Sequence, residues 1–135
     1  MSRELRTNRH SVFNLKYHLV VVTKYRKKCL TKEMLKDLED ILKEQLEGKD
    51  CKLIEFNGEE DHIHILFESQ PQIQLTKIVN SLKTVTSRLL NKKYKTHLNK
   101  FFETSTLWSR SYCILTTGGA TIETIKKYIE NQKEL

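Results

Sequence analysis

In the segment Asp61-His62-Ile63-His64-Ile65-Leu66, one apolar residue separates two histidines. The two-residue period of a β-strand puts both imidazoles on one face and Ile63, Ile65 and Phe67 on the other. Rings spaced about 6–7 Å along a strand can converge on one transition-metal ion, and a rigid backbone orients them in advance. The same spacing suits two hydrogen-bonded histidines on a half-exposed sheet face. The dyad therefore needs a further group before it is a site.

Tyr128-Ile129-Glu130-Asn131-Gln132 offers one, because Tyr128 and Gln132 are four residues apart and share a helix face. A phenol and an amide oxygen could meet the ion held by the histidines. Tyr128 also borders the apolar stripe Ile122, Ile125 and Ile129, where a tyrosine ring commonly packs on a core.

Basic residues supply a third kind of chemistry. Lys24, Arg26, Lys27 and Lys28 form one run, and Lys92, Lys93, Lys95 and Lys100 interleave with Tyr94 and His97. Such residues neutralise phosphates and stack on unpaired bases, or simply solvate a loop. Lys24, Arg26, Lys83 and Arg88 are the candidate phosphate contacts to a nucleic acid. Trp108 reads as a core or interface residue rather than a stacking platform.

No phosphate-binding Gly-rich loop, Gly-x-Ser-x-Gly elbow or His-Glu-x-x-His helix occurs, so no nucleotide cofactor is expected. Lysines and arginines number 24 against 17 acidic residues, a net charge of +7 that favours a polyanionic partner. The cysteines Cys29, Cys51 and Cys113 are odd in number and lack Cys-x-x-Cys spacing, which argues against a disulfide framework or a zinc knuckle. Residues 1–14 are polar and basic, and no apolar run approaches the ~20 residues of a membrane span. The expectation is a cytoplasmic protein without membrane association.

These groups need elements to position them. A length of 135 residues suits a single domain, 1–135. Leu15–Thr23 reads as a strand ending in the basic loop. Thr31 is a helix cap ahead of Met34, Leu35, Leu38, Ile41, Leu42 and Leu46, with Gly48 as the stop. Cys51–Phe56 and Asp61–Glu68 read as a hairpin whose turn contains Asn57-Gly58. A helix after Pro71 carries Leu75, Ile78, Val79, Leu82, Val85, Leu89 and Leu90 on one stripe. Residues 94–107 lack a period and read as loop. Trp108–Thr116 is a fourth strand, Gly118-Gly119 a turn, and Thr121 to about Gln132 a last helix. The order β-α-β-β-α-β is the split βαβ, or ferredoxin-like, α+β arrangement: an antiparallel sheet with helices on one face, here with an added C-terminal helix carrying Tyr128.

Taken together, Lys16-Tyr17-His18-Leu19-Val20, Thr23-Lys24-Tyr25-Arg26, Asp61-His62-Ile63-His64-Ile65-Leu66, Ser87-Arg88, Leu107-Trp108, Gly118-Gly119-Ala120 and Lys127-Tyr128-Ile129-Glu130-Asn131-Gln132 resemble a known family. It comprises the small single-tyrosine, HUH-type (His-hydrophobic-His) transposases of insertion sequences, the IS200-like family often called TnpA. The resemblance implies that His62, His64 and Gln132 bind a divalent metal, Mg2+ or Mn2+, and that Tyr128 is the nucleophile. It further implies a homodimer with active sites completed in trans, acting on single-stranded DNA with hairpin ends through a 5′-phosphotyrosine intermediate. Transesterification conserves the phosphodiester energy, so rejoining requires no ATP.

Two other readings compete. One is a tyrosine nuclease of the same chemistry that processes repetitive hairpin elements, which the DNA flanking the gene would distinguish. The other is a non-catalytic RNA- or DNA-binding ferredoxin-like module; such modules present aromatics on central strands, where this chain offers His62 and His64.

Overall fold

The computed structural model describes residues 6–7, 12–13, 15–116 and 122–131, with the side chains of 15–116 and 126–131. In chain order the elements are β1 (Arg6–Thr7), β2 (Val12–Phe13), β3 (Leu15–Thr23), a 3-10 turn at Lys24–Arg26, α1 (Lys32–Glu47), β4 (Lys52–Gly58), β5 (His62–Ser69), α2 (Leu75–Lys93), α3 (Lys95–Leu98), β6 (Trp108–Thr116) and α4 (Ile122–Asn131). β1 and β2 pair as a short antiparallel ribbon that the sequence pattern did not announce.

The four-stranded sheet runs β4-β5-β3-β6, and every pairing is antiparallel. This is the expected ferredoxin-like order. β3 lies in the middle because its LVVVT run can be covered on both faces, as the β-branched residues of a central strand require. Leu19 and Val21 face α1 and α2, where they join Met34, Leu38, Leu42, Ile63, Ile65, Phe67, Val79 and Leu82 in the main core. Burying each such side chain contributes about 1.5–3 kcal/mol. Val20 and Val22 face the other way and pack with Ile129 of α4. The C-terminal helix thus covers the sheet face opposite to α1 and α2, and Ile129 is inward as its spacing indicated. Ile122 and Ile125 have side chains outside the described set.

Thr31 caps α1 as expected, its Oγ1 accepting from the Met34 N–H at 3.1 Å. Gly48 ends that helix in a right-handed conformation, and the left-handed residue of the connection is Asp50, with φ 57°.

Two expectations are corrected. The hairpin turn does not fall at Asn57-Gly58; both belong to β4, opposite His64 and Ile63, and the chain reverses after Glu59, whose N–H donates to the His62 carbonyl at 2.8 Å. Gly58 serves packing, since a Cβ there would stand 2.5 Å from Leu35 Cδ2 and 3.2 Å from Ile63 Cγ2. Residues 94–107 are not simply a loop. They include α3 and bury Leu98, Phe102 and Leu107 in the main core, while the Tyr94 hydroxyl donates to Asp37 of α1. The Gly118-Gly119 turn lies outside the described residues.

Candidate metal and nucleophile site

Strand register decides what meets on the α4 side of the sheet. Val20 pairs with His64, Val22 with His62 and His18 with Leu66, so His18, His62 and His64 share one face. The His62 and His64 rings lie 4.9 Å apart between centroids, nearly perpendicular, and the His18 and His64 rings lie 5.4 Å apart. The two sequence-identified histidines do converge. His18 joins them from the neighbouring strand, which spacing within one segment cannot reveal.

Each imidazole of the pair is braced through one nitrogen. The His62 Nδ1–H donates to Asp61 Oδ1 at 2.8 Å, and its Nε2 has no hydrogen-bond partner among the described residues. Such a carboxylate partner fixes both the tautomer and the orientation of a ligating ring. Asp61 is itself buried and held by Arg26, whose Nε and Nη2 each lie 3.2 Å from Oδ2. Burial pushes the Asp61 carboxyl up, but the His62 hydrogen bond and the charges of His62 and Arg26 outweigh it and keep the group below the usual carboxylate value. His64 Nδ1 stands 3.3 Å from His18 Nε2, and the His64 Nε2 likewise has no hydrogen-bond partner among the described residues. Burial, followed by the neighbouring His62 and His18, pushes the His64 pKa down to about 4. Burial likewise lowers His18, against Glu55. A neutral imidazole has the lone pair that ligation needs.

The backbone makes this bracing possible. Tyr25 and Arg26 adopt left-handed conformations, φ 59° and 52°, which fold the basic run back on the sheet end. There the Thr23 N–H donates to the Asp61 carbonyl at 2.9 Å. Arg26, a candidate phosphate contact, is engaged with Asp61.

The histidines open on a cavity of about 700 Å³, which also exposes Glu55, Glu59 and, from α4, Lys126, Ile129 and Glu130. Tyr128 lies on the same side of the sheet but faces β6. With Cys113 and Leu115 it packs against the cluster of Val20, Val22 and Ile129, and its hydroxyl donates to Ser111 Oγ at 3.3 Å. Burial raises the phenol above its ordinary pKa, against the Ser111 hydrogen bond, so at rest it is protonated. Lys126 and Glu130, four residues apart, share the helix face turned to the cavity, and Tyr128 lies off that face. Gln132 is outside the described residues, and among those described no third His, Cys, Asp or Glu joins His62 and His64 in a ligand cluster.

The remaining basic candidates separate. Lys24 sits over the Tyr25 ring, 5.4 Å from its centroid. Lys83 donates to the Ser109 and Arg110 carbonyls at 2.7 and 2.9 Å, and burial lowers its pKa. Arg88 is exposed, in a cleft beside α2. Asp61, His18 and Ser111 are the site residues that the sequence reading did not single out. Asp61 had a usable signal, since a carboxylate next to a strand histidine is a ready bracing group.

Residues 11–132 match the family model described as Transposase IS200 like. The chain is 34% identical over 131 residues to "ISDra2 transposase TnpA" of Deinococcus radiodurans, covering 97% of this chain and 93% of that protein. It is 30% identical over 125 residues to the transposase for insertion sequence element IS200 of Salmonella typhimurium, covering 93% and 81%. A crystal structure of a candidate transposase from D. radiodurans R1 superposes with a TM-score of 0.87 at 32% identity, covering 96% of this chain and 99% of that one. The structure of a REP-associated tyrosine transposase bound to a REP hairpin shares the fold, with a TM-score of 0.57 at 8% identity over 96% and 69% of the chains.

Proposed function

We propose, for a chain that belongs to the IS200-like transposase family, that it cuts and rejoins hairpin-bearing single-stranded DNA at insertion-sequence ends, with Tyr128 as nucleophile. The observation that carries this reading is the convergence of His62 and His64, one braced by Asp61, on the sheet face that also seats the helix bearing Tyr128.

The donor set suits a divalent cation: two imidazoles whose Nε2 atoms have no hydrogen-bond partner among the described residues, at a cavity bordered by glutamates. His62, His64 and the amide of Gln132 would hold Mg2+ or Mn2+, with remaining positions for phosphate oxygen and water. Bound there, the ion would draw charge from a phosphate oxygen and orient the scissile bond. Asp61 and Arg26 keep the His62 ring in place. The Tyr128 oxygen attacks phosphorus as its proton leaves to solvent, the bond from phosphorus to the 3′ oxygen breaks, and that oxygen takes a proton from solvent and departs as a 3′-hydroxyl. DNA is then held as a 5′-phosphotyrosine. A 3′-hydroxyl of another strand attacks the same phosphorus and releases the tyrosine.

Because Tyr128 lies off the helix face that its own chain turns to the cavity, attack requires α4 to be reseated or to serve a second copy. A homodimer with sites completed in trans meets that need and supplies the two tyrosines that excision at two ends requires. It would act in the cytoplasm.

The test incubates the protein with labelled single-stranded DNA carrying the hairpins that flank its gene, with Mn2+ or with chelator. The expected product is a denaturation-resistant adduct that requires metal and is absent from folded Tyr128→Phe. DNA binding without an adduct would replace this reading with that of a binding module.

A further inference from the structure

A second feature lies beside α2, at the other side of the sheet. A cleft of about 730 Å³ runs between that helix and residues 105–108, and no carboxylate lines it among the described residues. Arg88 and Lys92, four residues apart on one stripe of α2, lie along its rim, and Lys95 at the start of α3 adds a third charge. The Arg88 and Lys92 positions are thus about 6 Å apart along the axis of α2. All three are exposed, and none has an ion-pair partner among the described residues. Lys93, by contrast, is spent on Asp37 at 2.9 Å.

The cleft is braced rather than adaptable. Asn91 Nδ2 donates to the Thr106 carbonyl at 3.1 Å, tying the loop to the helix, and Trp108 Nε1 donates to Thr86 Oγ1 at 2.9 Å beneath it. Lys83 holds a fourth positive charge at one end through the Ser109 and Arg110 carbonyls. The opposite wall leads to the metal and nucleophile face. The Leu107 carbonyl accepts from the Lys24 N–H at 2.8 Å, and two residues later Arg26 grips the Asp61 that orients His62.

We propose that this cleft is a track for the phosphodiester backbone of a DNA single strand, which passes round the sheet end at Lys24–Arg26 toward His62. The inference rests on the DNA-acting reading above and adds the surface that holds the strand. The cleft has the size of a small-ligand site, room for a few nucleotides of one strand rather than a duplex. Contact is to phosphates, so it positions DNA without reading sequence.

The test uses the full chain carrying Tyr128→Phe, in chelator, with a labelled 30-nucleotide oligothymidylate, and follows affinity against salt. Each lost phosphate contact lowers the log–log slope by about 0.7 for single strands. Adding Arg88→Gln and Lys92→Gln should therefore reduce the slope by about 1.4, whereas Lys36→Gln with Lys43→Gln on α1, an equal loss of charge, should leave it unchanged. Equal loss in both pairs, or none in the first, overturns the proposal. So does an equal loss with a blunt duplex of the same length. Because no adduct can form in this assay, a failure of Tyr128 chemistry leaves the result intact.

Discussion

The two faces of the sheet are built from alternate residues of the same strands, yet they are differently finished. On the α1 and α2 side, Leu19, Val21, Ile63, Ile65 and Phe67 are covered almost completely by helix side chains. On the α4 side, the buried hydrophobic residues among those described are Val20, Val22 and Ile129, and His18, His62 and His64 border an open cavity. One face supplies cohesion and the other keeps polar groups within reach of a ligand. Polar groups are tolerable there because each histidine of the pair satisfies one nitrogen, through Asp61 or His18.

The sharpest way to break this comparison is a truncation on each face. Phe67→Ala should cost about 3–5 kcal/mol in denaturant unfolding. His64→Ala should cost far less and instead remove divalent-metal binding measured by calorimetry. Equal destabilisation by the two would contradict the division of labour. Next in size, Asp61→Asn should weaken metal binding about 10–100-fold, since the ring it orients loses its charged partner. Unaltered affinity in a folded variant would show that the carboxylate does not position His62. Gly58→Ala probes the seam between the faces by pushing a methyl against Leu35, with an expected loss of about 1–3 kcal/mol in thermal or denaturant unfolding. A neutral result would mean that Leu35 swings aside. The smallest effect concerns thiols. Half-buried Cys113 on the α4 side should alkylate before buried Cys29, whose pKa burial pushes up to about 12, and before buried Cys51. Peptide mapping after brief iodoacetamide treatment at pH 8 would reveal the order, and early labelling of Cys29 would place it outside the core.

Much of this architecture was legible in residue periodicity. The β-branched and aromatic run Leu15–Thr23, the alternation in Asp61–Glu68 and the stripe from Met34 to Leu46 are governed by local geometry, and the elements formed where those patterns lie. Leu98, Phe102 and Leu107 escaped because they reach the core from an irregular path, where no single period applies. Gly58 misled because glycine next to asparagine suits a turn as well as a close approach, and only the position of Leu35 distinguishes them. The His62–His64 pair was readable from one strand. His18 was not grouped with it because register between strands is a tertiary property, and Arg26 reaches Asp61 only through left-handed backbone that a basic run does not announce.

The central claim is that the open face carries out DNA cleavage through the helix that packs on it. It is tested most directly by digesting the metal-dependent protein–DNA adduct and locating the nucleotide by mass spectrometry. The account requires the phosphate on the peptide containing Tyr128. Attachment at another residue, such as Tyr112 of β6, would contradict it.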